Sequence, residues 1–318
     1  MTRTAPKTLV TGSMAYDTIM VFPDRFRNHL LADQLHILNV CFLTPEMRRE
    51  FGGTAGNIAY NLKMLGEEPL LMATVGEDIE PYLARLKELG IDAGLLKRIA
   101  GQFTAQAFIT TDMDDNQITA FHPGAMNFSH QNRIGPELGA GLAIIGPDGK
   151  DGMLEHSRQC AEHGIPFLFD PGQGMPMFSR EELLEMVRLA TYLAVNDYEG
   201  KMLEEKTGRA LVSLAGELKA LVVTLGALGS QIHAGGKCIE IPLVKAEAEV
   251  DPTGCGDAYR AGLLYGIAHG WSWEATGRLG SLLGALKIAQ RGPQNHRFSR
   301  AEIENRFKKA FGSSPWSP

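Results

Sequence analysis

The sequence predicts an α/β fold with a mostly parallel β-sheet, and three observations favour it. Short apolar runs alternate with helical patterns along the chain, which is typical of a parallel sheet with helices on both faces. Of the 318 residues, 44% are hydrophobic, so the chain can bury one large core. Two segments interrupt the alternation and favour extra strands. We therefore expect one α/β domain over residues 1–318 with a small appendage.

The regular elements follow one another closely in the sequence. The predicted strands with their helices are 8–11, 70–75 before the helix 79–89, 142–145 before the helix 151–163, and 166–169 before the helix 179–190, and two further strands are 191–195 and 220–223. Ligands bind at the carboxyl ends of the strands in open parallel sheets. Asp170, Asn196 and Thr224 all follow such strands, and we expect them at that edge.

The two irregular segments cover residues 18–43 and 102–121, which are apolar or rich in strand-forming residues without a clear helical period. From the pattern alone, they are extra edge strands or a separate small sheet.

Composition excludes several classes of function. Lys and Arg number 31 against 37 Asp and Glu, which gives a net charge of −6, and no basic cluster supports binding to nucleic acid or a membrane surface. Four separated cysteines form no C-x-x-C pair and indicate reduced thiols. The first residues contain no apolar run long enough for a signal peptide or a membrane span. We expect a cytoplasmic protein.

The segment Asp251-Pro-Thr-Gly-Cys-Gly-Asp257 precedes an apolar helical pattern and carries the most informative chemistry. Glycines at 254 and 256 allow the amides of Gly254, Cys255 and Gly256 to converge on one phosphate group at a helix start. Asp257, in the first turn, can reach the hydroxyl that accepts the phosphate. The alternative is an ordinary glycine-rich turn with an acid that favours the helix start.

A second glycine turn, Phe51-Gly-Gly-Thr-Ala-Gly-Asn57, begins an amphipathic helix. Together the two turns resemble the PfkB (ribokinase-like) family of carbohydrate and nucleoside kinases. Asn196-Asp-Tyr-Glu199 and Thr224-Leu-Gly-Ala-Leu-Gly-Ser230 lie where that family has two further motifs, in the same order. The resemblance implies a ribokinase-like three-layer sandwich, with residues 18–43 and 102–121 as a small β-sheet lid over the substrate.

The resemblance also implies ATP-dependent phosphoryl transfer to a hydroxyl. Asp257 is then the general base, and the backbone at Gly254, Cys255 and Gly256 is the anion hole; Cys255 would act through its amide, not its thiol. In the acceptor site, Asp17 would bind two sugar hydroxyls. Gly53 and Asn57 would complete that site, although Asn57 could instead be a helix cap or a buried polar residue.

For the nucleotide, the resemblance implies contacts from Asn196, Thr224, Gly226, Gly229 and Gly254. The chain has no Gly-x-x-x-x-Gly-Lys-[Ser/Thr] sequence and no Gly-x-Gly-x-x-Gly, so the common phosphate-binding loops are absent.

Two cations are also implied. Glu199 would position Mg²⁺ mostly through water, with a capped helix start as the alternative for Asn196 and Glu199. Asp251 and Thr253 would help to bind a monovalent cation, potassium, with carbonyls from a loop resembling residues 289–293. This chain departs from the family pattern at Asn295 and His296, where the family often carries a small hydroxyl residue, and the departure argues against potassium dependence.

The candidate lid is rich in large apolar side chains: Met20, Phe22, Phe26, Phe42, Phe103, Phe108, Phe121 and the nearby Met126. They favour a slot for a nucleobase, although the core of the lid or a dimer contact explains them nearly as well. The sequences of these motifs resemble those of bacterial and archaeal adenosine or broad-specificity nucleoside kinases more than those of ribokinase. We expect a ribonucleoside 5′-kinase, and a homodimer or a closing lid. The alternatives are a sugar kinase of ribokinase or fructokinase type and a catalytically silent binding protein.

Overall fold

The computed structural model describes residues 6–30, 39–114 and 116–316. Its strands are β1 Lys7–Thr11, β2 Ala15–Val21, β3 Glu46–Gly52, β4 Leu70–Val75, β5 Leu95–Arg98, β6 Ala105–Thr111, β7 Gln117–His122, β8 Ala140–Ile145, β9 Phe167–Phe169, β10 Tyr192–Asn196, β11 Ala220–Thr224, β12 Ser230–Ala234 and β13 Lys237–Ile241. Its α-helices are α1 Thr54–Met64, α2 Glu80–Leu89, α3 Lys150–Glu162, α4 Arg180–Leu189, α5 Asp197–Thr207, α6 Leu211–Ala215, α7 Cys255–Ala268, α8 Trp273–Ile288 and α9 Arg300–Phe311.

Nine of the described strands form a large sheet in the order β13-β12-β11-β10-β9-β8-β1-β4-β5. The neighbours from β11 to β5 are parallel, whereas β12 pairs antiparallel with both β11 and β13. Strands such as β8 and β10 are almost continuous apolar runs, as expected where helices cover both faces of a sheet. The predicted, mostly parallel sheet is confirmed.

Helices lie on both faces of this sheet. One core cluster includes residues of α1, α2, α7, α8 and α9, such as Ile58 and Leu263. The other includes residues of α3, α4, α5 and α6, such as Met153 and Leu203. The molecule therefore has three layers. Every regular strand and helix predicted above begins and ends within two residues of the observed element.

The smaller sheet has the order β3-β2-β6-β7. Strands β2 and β6 are parallel, and the other two pairs are antiparallel. The predicted segment 18–43 did not include β3, because the sequence Glu-Met-Arg-Arg-Glu-Phe-Gly shows no apolar alternation that would indicate a strand. Residues 31–38 of that segment lie outside the described residues.

None of the helices in the described ranges is both long enough and apolar enough to cross a membrane.

Candidate active site

The glycine turn before α7 has the geometry that its sequence predicts. Gly254 adopts φ 83°, and a Cβ atom there would lie 2.7 Å from Pro293 Cβ, so only glycine fits. The amides of Gly254, Gly256 and Asp257 have no acceptor among the described residues, but the Cys255 amide donates to the Pro252 carbonyl at 3.1 Å. Three amides of this turn are therefore available to an anion. The Cys255 amide, which we expected to join them, is already hydrogen-bonded within the turn.

The Cys255 thiol contacts the Gly284 carbonyl, with its sulfur at 3.8 Å. Burial raises the pKa of this thiol to about 11, so it stays protonated at neutral pH. This protonation state argues against a nucleophilic role.

Asp257 lies in the first turn of α7 and is held by a residue 200 positions away. The Asn57 amide nitrogen donates to Asp257 Oδ2 at 2.8 Å. Burial is the main reason that the pKa of Asp257 is raised to about 6, and the charges of Asp170 and Asp17 act in the same direction. The Asn57 hydrogen bond lowers the pKa and offsets part of this rise. The carboxylate is thus ionised at neutral pH yet more basic than an exposed aspartate.

Asn57 belongs to a buried hydrogen-bond network. Gln294 donates to Asn57 Oδ1 at 3.0 Å and lies 2.6 Å from the Tyr82 hydroxyl. Tyr82 in turn donates to the Gly52 carbonyl at 2.8 Å. Asn57 is therefore a buried polar residue that orients Asp257, and it does not cap α1, whose N-cap is Gly53. Sequence reasoning missed Gln294 and Tyr82, because no local motif marks them.

Asp17 lies on β2 beside the glycine turn that begins α1. A Cβ atom at Gly52 would lie 2.5 Å from Asp17 Oδ2, and one at Gly53 would lie 2.5 Å from the Ala15 nitrogen. Burial raises the pKa of Asp17 to about 6, and the charges of Asp251 and Glu50 act in the same direction. The structure thus brings Asp17, Gly53, Asn57 and Asp257 together around two glycine turns.

Asp170 follows β9 and forms a buried ion pair that the sequence did not indicate. Arg260 Nε lies 3.0 Å from Asp170 Oδ2, and Arg260 Nη2 lies 3.9 Å from Glu199 Oε2. The Arg260 charge acts on Asp257 and lowers its pKa. Arg260 therefore links the Asp257 region to the end of β9 and the start of α5.

Asn196 and Glu199 form a capping box at the start of α5. Asn196 Oδ1 accepts from the Glu199 amide at 2.7 Å, and Glu199 Oε2 accepts from the Asn196 amide at 2.8 Å. Asn196 therefore caps α5, and the roles of Asn196 at the nucleotide and of Glu199 at magnesium stay predictions. Within residues 6–30, 39–114 and 116–316, no group of three or more His, Cys, Asp or Glu side chains could hold a metal ion.

Thr224 ends β11 directly beside Asn196 at the end of β10, with which it is paired in register. Gly226 and Gly229 have φ values of 56° and 86°. A Cβ atom at Gly229 would lie 2.2 Å from the Ile241 carbonyl oxygen, so this turn requires glycine. A cavity of about 340 Å³ lies beside the turn, with Leu225 and Pro242 in its lining.

A lysine ammonium contacts the loop that the family resemblance assigns to a monovalent cation. Asp251 accepts from the amides of Thr253 and Gly292, each at 2.9 Å. The Lys287 ammonium, which is fully buried, donates to the Asp251 carbonyl at 2.6 Å and to the Gln290 carbonyl at 3.0 Å. Sequence reasoning missed Lys287.

The aromatic residues of the small sheet fall into two groups. Phe22, Phe26 and Phe42 pack against one another with ring centroids 4.8–6.0 Å apart, and the first two are buried. Phe103 and Phe108 are 60% and 41% exposed, and with Gln106 and His122 they line a cavity of about 390 Å³. Phe121 is also exposed. The first group forms a local core. In the β2–β6–β7 register, Phe121 lies on the face of the small sheet that carries Asp17, and Phe108 lies on the opposite face.

Comparison with known proteins agrees with this geometry. The family model described as "pfkB family carbohydrate kinase" matches residues 14–299. The chain belongs to this family. It is therefore a phosphotransferase that acts on a hydroxyl group. A nucleoside kinase of Methanocaldococcus jannaschii is 31% identical over 85% of this chain and 90% of the relative.

Solved structures give the same fold. The nucleoside kinase of Burkholderia thailandensis in complex with inosine is 51% identical, with a TM-score of 0.89 over 97% of this chain and 99% of that chain. A second structure of that enzyme contains ADP-inosine, with 52% identity and a TM-score of 0.87 over 97% of each chain. Ribokinase of Thermotoga maritima, at 20% identity and a TM-score of 0.79 over 96% and 99% of the chains, shares the fold. The predicted ribokinase-like fold is thus confirmed.

Proposed function

We propose that this kinase transfers the γ-phosphoryl group of ATP to the 5′-hydroxyl of a ribonucleoside. The observation that carries the proposal is the Asn57–Asp257 hydrogen bond, which holds a basic carboxylate beside three available amides at the start of α7. The Burkholderia relative, half identical to this chain, has been solved with inosine and with ADP-inosine, which supports a nucleoside as the acceptor.

In the proposed reaction, the 5′-oxygen of the nucleoside attacks the γ-phosphorus of ATP. The bond from this phosphorus to the bridging oxygen breaks, and ADP leaves with the electron pair. Asp257 accepts the hydroxyl proton; its pKa of about 6 suits a general base at neutral pH. The amides of Gly254 and Gly256 stabilise the negative charge on the transferred group.

Asp17 is the proposed reader of the ribose hydroxyls. Its carboxylate lies against the Gly52–Gly53 turn, because Gly52 has no Cβ atom that would displace it. Two hydroxyl donors on a vicinal diol would satisfy both carboxylate oxygens. They would also stabilise the ionised form of Asp17, whose pKa is raised by burial in the protein alone.

The nucleotide would lie along the carboxyl ends of β10 and β11. Asn196, Thr224, Gly226 and Gly229 are neighbours there, and Gly254 would contact the phosphates from α7. Magnesium would neutralise phosphate charge. Glu199 fits an indirect role in holding it through water, because one of its carboxylate oxygens already accepts the Asn196 amide.

The small sheet would act as the lid. Phe121 lies on the face of this sheet that carries Asp17, as the β2–β6–β7 register shows, and it is exposed. It would cover an apolar base, which a free sugar lacks. An exposed aromatic patch on a small sheet with open edges also favours pairing with a second copy of the chain.

A substrate panel tests the proposal. We expect ATP consumption to be at least tenfold more efficient, in kcat/KM, with inosine, adenosine, guanosine or cytidine than with ribose or fructose, since a base buries additional apolar area. Phe121→Ala, on the face of the small sheet that carries Asp17, should raise KM for nucleosides and leave the slow reaction with ribose unchanged. Met47→Ala, at another exposed residue of the same sheet, is the matched control. Preference for ribose or fructose would establish the sugar-kinase alternative, and binding without turnover would establish the silent binding protein.

A further inference from the structure

The loop before the anion turn is held by a buried ammonium group. Lys287 lies in the last turn of α8 and is fully buried, yet it forms no ion pair within 4.0 Å among the described side chains. Among the described residues, it donates to two backbone carbonyls, those of Asp251 and Gln290. A buried lysine that binds only carbonyl oxygens is unusual, because its charge is costly to desolvate without a carboxylate in contact.

These two carbonyls belong to the segments that the family resemblance assigns to a monovalent cation, at 251–253 and 289–293. Carbonyl oxygens replace the hydration shell of potassium, and they accept equally from an ammonium group. Lys287 Nζ is 2.6 Å from one oxygen and 3.0 Å from the other. A potassium ion that took both oxygens as ligands would compete with the ammonium for them and would lie close to its positive charge, so the residues present do not fit that ion.

We propose that the Lys287 ammonium replaces the monovalent cation and makes this enzyme independent of potassium. This proposal rests on the proposed nucleoside kinase function only where turnover is measured. Lys287 is a positioning residue, since it touches neither of the proposed reacting groups.

The structure shows how Lys287 would act on the anion turn. Asp251 is three residues before Gly254, and its carboxylate accepts from the Thr253 amide on the way to that turn. The Asp251 amide donates to the Ile288 carbonyl, which places the loop against the end of α8. The positive charge also lies at a helix C-terminus, where it is favoured. Removal of the ammonium would leave two buried carbonyls without their donor and release the loop.

The test compares the wild type with Lys287→Ala, Lys287→Met and a matched control. Lys206→Ala is the control, because the Lys206 ammonium also donates to two backbone carbonyls, of Pro176 and Phe178, away from this turn. Turnover and the thermal unfolding temperature are measured in equal concentrations of potassium, sodium and lithium chloride, with ethylammonium chloride as a further probe.

For the wild type and for Lys206→Ala, we expect turnover and the unfolding temperature to be independent of which of these cations is present. Lys287→Ala should lose about tenfold or more in kcat in sodium, the scale of an unsatisfied buried group. Potassium or ethylammonium should restore both kcat and the unfolding temperature. Lys287→Met, which fills the space without a charge, should lose activity in every salt.

Three results would overturn the proposal: activation of the wild type by potassium, salt responses in Lys287→Ala that match those of the control, or full turnover in Lys287→Met. The unfolding temperatures keep the test independent of the proposed function. If the wild type phosphorylates no nucleoside, the nucleoside assignment fails, while selective stabilisation of Lys287→Ala by potassium still tests the cation replacement.

Discussion

Asp257→Asn separates a catalytic carboxylate from a structural one. The fold raises the pKa of Asp257 from its ordinary value of 3.8 to about 6, chiefly by burial. A raised pKa in the folded state means that the fold disfavours the ionised carboxylate. The cost to stability is therefore fully present above pH 6 and disappears below about pH 4, where the group is protonated in both states. Asparagine carries no charge and avoids this cost at every pH.

The magnitude follows from the same shift. A pKa change of this size corresponds to about 3 kcal/mol in full. Partial exposure of the side chain reduces it, and we expect a gain of about 1–2 kcal/mol at pH 8. For a chain of 318 residues, this gain raises the unfolding temperature by about 2–3 °C. Turnover should fall by about 10²-fold or more, because the general base is lost.

The assay is thermal unfolding at pH 8, 6 and 4, with kcat measured at pH 8. The stabilisation should be largest at pH 8 and should vanish near pH 4. Asp92→Asn is the control, because Asp92 is an exposed loop aspartate, and it should change neither quantity by more than a small amount. Near-normal turnover in Asp257→Asn would refute the role as base. A loss of stability at pH 8 would show that Asp257 is held as a structural anion instead.

Three further predictions concern the neighbouring residues. Asn57→Ala should lower kcat by about tenfold and move the acid limb of the kcat/KM profile above pH 6. In the wild type the Asn57 hydrogen bond lowers the pKa of Asp257, so its loss should raise that pKa; an unmoved limb would contradict this. Gly254→Ala should abolish turnover while the protein still unfolds cooperatively in calorimetry, since φ is 83° and Pro293 blocks a Cβ. Asp17→Ala should raise KM more for ribosides than for 2′-deoxyribosides, and equal losses in steady-state kinetics would indicate a packing role.

Local sequence patterns were enough to predict the fold class. Alternating apolar runs and helical periods predicted six of the nine described strands of the large sheet and three of its helices to within two residues, because burial on both faces of a sheet leaves a local signature. The same holds for Gly254, where a positive φ at a helix start demands one residue type. Strand β3 lacks such a signature. It carries four charged residues and one aromatic residue, and its pairing with β2 depends on a partner strand, not on its own sequence.

The sequence by itself determined the fold class, the family and the two glycine turns, since each depends on residues close together in the chain. Only the tertiary structure decided what surrounds Asp257. Gln294 contacts Asn57 across 237 positions, and Lys287 reaches the Asp251 carbonyl across 36. The geometry of such contacts is set by how the helices pack on the sheet. Whether a buried amide contacts an aspartate, or an ammonium donates to backbone carbonyls, is therefore decided only when packing brings the partners within hydrogen-bond distance.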